Sequence, residues 1–138
     1  MNLHAITLVQ TSLEQVMQEG DTAVALFYSR LFTLDPELRA LFIADASEHG
    51  RSFLTFLQQC VSGLSAPQTI IPAVKQAGRV HARHGIRPQH YHTFGQALFW
   101  TIAQIQGNAF TEEVAEAWTE AFYLLIGLMK EAAVKRET

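Results

Sequence analysis

The stretch Ala77-Gly-Arg-Val-His81-Ala-Arg-His-Gly85-Ile86, continued by Arg87-Pro88 and then Tyr91, organises the whole chain around it. Val74, Ala77, Gly78 and His81 share one face of a helix. Gly85 falls where that helix ends, because glycine takes the left-handed conformation of a C-terminal cap at no steric cost. Arg87-Pro88 restarts a helix, since proline suits a first helical position and pushes the residue before it towards extended backbone. The restarted helix carries Tyr91, Phe94, Leu98 and Ile102 on its inner face.

Outward from this pair the apolar spacing stays helical. Towards the N-terminus, Ser47 caps a helix whose inner stripe reads His49, Phe53, Leu57, Cys60, Val61 and Leu64, and Pro67 interrupts it. Asp35-Pro36 opens a short segment with Leu38, Leu41 and Phe42. Asp21 is the expected N-cap of a helix carrying Leu26, Phe27 and Leu31, and Ile6, Val9, Leu13 and Val16 mark the first helix. Towards the C-terminus, Gln106-Gly107-Asn108 makes a turn. Thr111 with Glu112 and Glu113 then opens a last helix carrying Val114, Trp118, Leu125 and Met129. No segment alternates with period two and no Asn-Gly or Asp-Gly hairpin occurs. The expectation is an all-α chain of about seven helices, forming one domain over residues 1–138.

Composition narrows the chemistry. Of 138 residues, 49% are hydrophobic and 17% charged, against a usual charged share of about 25%. So apolar a surface points to extra burial, by a cofactor or a partner. A net charge of −3 offers nothing to nucleic acid. The longest apolar run, Ala121 to Met129, is far shorter than the roughly 20 residues of a membrane span. Arg30 is the first basic residue, so no signal-peptide n-region is seen and a cytoplasmic protein is expected. Cys60 stands alone, which excludes an internal disulfide and cysteine-rich metal sites; on its stripe it reads as a small buried hydrophobe.

Six histidines remain. His4, His90 and His92 read as surface or half-buried. His49 and His81 each fall on the apolar stripe of their helix. A core-facing imidazole needs hydrogen-bond partners or a metal, and both explanations stay open on spacing alone. No Asp or Glu joins them on those faces, which argues against hydrolytic zinc or di-iron sites. The surrounding residues are aromatic: Phe27, Tyr28, Phe42, Phe53, Tyr91 and Phe94. A flat apolar cofactor with a central metal, such as haem, suits that lining.

These residues resemble a known family. The run from Ala77 to Ile86 with Pro88 and Tyr91 is similar to the proximal-histidine segment of single-domain bacterial globins, flavohaemoglobin haem domains and neuroglobin-like globins. Leu26-Phe27-Tyr28-Ser-Arg-Leu-Phe32, Asp35-Pro36-Glu37-Leu38 with Leu41-Phe42, Ser47-Glu-His49-Gly-Arg51-Ser-Phe53 and the ending around Phe110 and Trp118 follow in the family's order. The resemblance implies a globin-like fold around a haem pocket, without a D helix, and haem b as cofactor. It makes His81 the proximal iron ligand, whose second nitrogen needs an acceptor, and Tyr91 the tyrosine of the proximal pocket. Phe42 would pack on the haem face, and Phe53, Ile86 and Phe94 would line the pocket. Gly78 would allow close approach, and His84 and Arg83 would meet the propionates. On the distal side Tyr28 would donate a hydrogen bond to bound dioxygen. His49 would either donate as well or coordinate the iron itself. An ungapped register from Phe42 to Phe53 gives His49 that place; a shift of three would give Ser52 and Phe56, and the match at Arg51 favours His49.

One position departs from the flavohaemoglobin pattern. Ungapped alignment from Trp118 puts Ala133 where that family has a glutamate completing the proximal pocket. Glu131, two residues away, is rotated by about 200° and is expected to point elsewhere. Without that carboxylate His81 would keep less imidazolate character, so peroxidase-like chemistry is not expected. A chain of this length also has no room for flavin and nicotinamide domains, so electrons would come from an external reductase or small reductant. The implied function is reversible binding of dioxygen and related diatomics, as carrier or scavenger. Nitric oxide dioxygenation is the enzymatic variant. A gas or redox sensor acting through a partner protein is the alternative, and a haem-free interaction module the third. A monomer or weak homodimer is expected.

Overall fold

In the computed structural model the described residues are 1–41 and 46–135, with side chains described for 1–41 and 52–134. They form seven α-helices: α1 (Leu3–Gln18), α2 (Asp21–Leu34), α3 (Leu38–Leu41), α4 (Ala46–Ser62), α5 (Ile71–Arg83), α6 (Pro88–Gln106) and α7 (Glu112–Lys135). Short 3-10 turns at Pro67–Thr69 and Gly107–Ala109 join α4 to α5 and α6 to α7. The expected D helix gap falls on residues 42–45, outside those described, and so does Phe42. None of the described helices is long and apolar enough to cross a membrane.

The helix starts follow local chemistry, with two corrections. Asn2 caps α1 by accepting from Ala5 N–H at 2.7 Å, and Thr111 Oγ1 accepts from Val114 N–H at 3.2 Å to open α7. Asp21, expected as a cap, is instead the first helical residue, where its carboxylate still complements the helix dipole. Gly20 precedes it at φ 44°, a conformation that favours glycine. Helix α4 begins at Ala46, so Ser47 lies within its first turn.

Two apolar clusters fill the interior. The larger joins α1, α2, α3, α4, α6 and α7, with Leu31, Leu38, Ile102 and Trp118 fully buried within it. Trp118 Nε1 donates to Ser12 Oγ at 2.9 Å, Ser12 Oγ donates to Gln106 Oε1, and Gln106 Nε2 donates to Gln15 Oε1 at 2.6 Å. That network satisfies the indole and pins α1 to α6 and α7. The smaller cluster gathers Cys60, Val74, Tyr91, Leu125, Ile126 and Met129 around the α5–α7 contact. There α5 lies so close to α7 that a Cβ on Gly78 would come within 2.5 Å of Met129 O. Ile86, Phe94 and Phe122 are half-buried and flank both clusters.

Candidate functional site

Helices α4 and α5 follow one another in sequence yet scarcely touch. Among the described residues α5 packs mainly on α7, while α4 packs on α2 and α1. Half-buried side chains on and near these two helices include Phe53 and Phe56 from α4, His81 from α5, Ile86 from the connection and Phe94 from α6.

The decisive stretch folds as its residue types dictate. Gly85 takes φ 92°, turning the chain so that Ile86 N–H donates back to His81 O at 3.0 Å. Pro88 then starts α6. His90 accepts from Arg87 N–H at Nδ1, 2.9 Å, and its Nε2 lies 3.9 Å from Asp35 Oδ2. This fixes the first turn of α6 and with it the neighbouring Tyr91, whose hydroxyl sits 3.3 Å from His81 Nδ1. His90, expected at the surface or half-buried, is in fact buried at 8% exposure. The signal was its place three residues into a proline-started helix, where Glu or Gln more often completes a capping box.

A continuous run of rings crosses the site. Tyr28 meets Phe27 edge-on at 5.2 Å, Phe27 stacks on Phe53 at 4.9 Å and on Phe94 at 6.3 Å, Phe94 meets Tyr91 at 6.3 Å, and Tyr91 meets His81 at 6.1 Å. Five of the expected site residues, Tyr28, Phe53, His81, Tyr91 and Phe94, are thereby brought together. Phe27, expected among the aromatic lining but given no role there, is the hub of the run. Burial pushes the Tyr28 and Tyr91 hydroxyls up to about 12, so both keep their protons at any ordinary pH.

Other expected residues fare differently. His84 is exposed, its Nδ1 2.9 Å from Val80 O at the end of α5, and Arg83 is exposed beside it. The His49 side chain, like Phe42, lies outside the described residues. Ser52, its alternative, is exposed, and Phe56 flanks the smaller cluster. Glu131 Oε1 lies 3.8 Å from Nζ of Lys75, six residues before His81 on α5. Cys60 is buried and its thiol is pushed up to about 11, the state of an inert core cysteine.

The donor set fits haem. An imidazole that coordinates through Nε2 carries its proton on Nδ1, which then donates to Tyr91 Oη; a partner of this kind fixes tautomer and ring orientation. Among the described residues no three His, Cys, Asp or Glu side chains converge on a common point. The half-buried aromatics beside His81 suit a flat apolar macrocycle.

Fold and site define an all-helical domain built around an interior aromatic seam, with a tyrosine-anchored imidazole at one end and a buried tyrosine hydroxyl at the other. A family model described as Globin matches residues 25–129, and the chain belongs to the globin family. It is 30% identical to a flavohemoprotein of Xylella fastidiosa over 97% of this chain and 34% of the relative. A flavohemoprotein of Bacillus subtilis is 31% identical over 91% of this chain and 33% of the relative. The chain thus spans about a third of the length of these relatives. A crystal structure of a hexacoordinated heme protein from an anhydrobiotic tardigrade superposes with a TM-score of 0.85, at 15% identity, over 96% of this chain and 95% of that one. At that identity it bears on the fold alone.

Proposed function

We propose that the chain binds haem b through His81 and takes up dioxygen or a related diatomic ligand on the Tyr28 side of the pocket. The observation that carries this reading is the His81 Nδ1–Tyr91 Oη contact at the end of the ring run that begins at Tyr28. Haem, when bound there, supplies an iron atom with one coordination position for the gas. Tyr91 holds the imidazole plane. Phe53, Ile86 and Phe94 exclude water from the macrocycle's faces. Tyr28, buried and protonated, donates a hydrogen bond to a polarised diatomic. His49 and Phe42 complete the distal side in this reading.

Reconstitution with hemin tests the reading directly. A Soret band is expected for the chain, and its loss or marked weakening for His81→Ala; an unchanged spectrum in that variant overturns the assignment. Tyr28→Phe is expected to speed dioxygen release by about 5- to 150-fold, for a charge-assisted bond of ~1–3 kcal/mol. An unchanged off-rate removes the tyrosine from that role.

The resemblance to flavohaemoglobin haem domains adds a finer reading: nitric oxide dioxygenation with electrons from an external reductase. Turnover in the presence of a reductase decides it, because a carrier stops at one equivalent per haem.

A further inference from the structure

Helix α7 shows solvent a seam that its packing on α1, α5 and α6 does not use. Glu116, Glu120, Tyr123, Gly127, Lys130 and Val134 are all exposed, and steps of four, three, four, three and four residues place them in one stripe. At its middle Tyr123 is 57% exposed, an unusual position for a large ring, and Leu124 beside it is 42% exposed. One turn on, Gly127 has no atom within 4 Å of where a Cβ would stand, which leaves a notch in the helix surface.

The stripe is symmetric about its own midpoint. Laid antiparallel on a copy of itself, it sets Tyr123 opposite Gly127 and Glu120 opposite Lys130, each twice. A bulky ring meets a notch, and an acid meets a base. Laid parallel, it would set Tyr123 against Tyr123 and Glu120 against Glu120. Only the outermost antiparallel pair, Glu116 with Val134, complements in neither shape nor charge. Glu120 lies 3.8 Å from the Met1 amino group in its own chain, and its side chain remains 57% exposed.

We propose that a second copy of this chain docks on this face, α7 against α7, antiparallel about a two-fold axis beside position 125. Self-complementarity of this kind is what a two-fold interface demands. A single helix pair buries less than the ~1,200 Å² at the lower end of standard interfaces, so the dimer is a weak, concentration-dependent one.

Sedimentation velocity from micromolar to millimolar concentration tests it. The weight-average mass should climb from 15.4 kDa towards twice that value. Gly127→Gln fills the notch and should abolish the rise. Its melting temperature should not fall, since nothing in its own chain stands near the new side chain. Glu120→Lys and Lys130→Glu should each weaken association about tenfold, two ion pairs being lost per dimer. The double charge swap should restore it. A chain that stays monomeric at millimolar concentration leaves the face to some other protein and overturns the proposal. So does a dimer indifferent to Gly127→Gln, or one that the double swap fails to restore.

Discussion

The interior between α1, α2, α6 and α7 and the interior between α4 and α5 are built on different terms. In the first, Leu31, Ile102 and Trp118 are fully buried, and the buried hydroxyls of Ser12 and Thr101 are satisfied through Trp118, Gln106 and Ala97. In the second, His81, Ile86, Phe53 and Phe94 remain half-buried although nearly every one is apolar. Burying apolar surface contributes about 25 cal/mol per Å², so leaving these side chains short of burial forgoes stability that the chain could have had. The first region holds the fold without help. The second keeps apolar surface that a flat apolar ligand would cover.

That contrast can be broken by substitution. Trp118→Ala removes a fully buried ring and the indole donor to Ser12 Oγ, and should destabilise the apoprotein by about 3–5 kcal/mol in urea titration. A loss no larger than that of His81→Ala would erase the distinction between the two regions. Gly78→Ala probes the joint between them. Its methyl group would meet the Met129 backbone at 2.5 Å, so α5 must shift from α7, at an expected overpacking penalty of about 1–3 kcal/mol. Because α5 carries His81, haem retention should fall along with stability. Weaker retention at unchanged stability would mean that the shift is absorbed locally.

How much of this was legible beforehand differs by region. The helices were readable because residues such as Ile6, Val9, Leu13 and Val16 bury a stripe whose period is helical, and each of them is buried. Tyr91 and His81 were readable as members of one segment because they flank a glycine–proline corner, but their direct contact was not. The role of Phe27 was hidden, since an aromatic at helical spacing looks the same whether it is core or hub. The Ser12–Trp118–Gln106–Gln15 network spans three helices, and no local pattern announces a contact between positions so far apart.

The smallest expected effect is also the sharpest test of the seam between the regions. Tyr91→Phe keeps the ring against Phe94 and removes only the hydroxyl that meets His81 Nδ1 at 3.3 Å. One such bond contributes about 0.5–1.5 kcal/mol, so apoprotein stability at neutral pH should drop by no more than that. The alkaline limb carries more information. A tyrosine that loses its proton near 10 when unfolded and near 12 when folded leaves the native state holding the extra proton between those values. Stability therefore falls as pH rises from 10 towards 12, with Tyr28 and Tyr91 each contributing. In Tyr91→Phe one of the two contributions is gone, and the fall should be shallower while Tyr28 still titrates late. A limb as steep as that of the parent chain would mean that the Tyr91 hydroxyl is not held neutral by burial, and that His81 is positioned by something other than this bond.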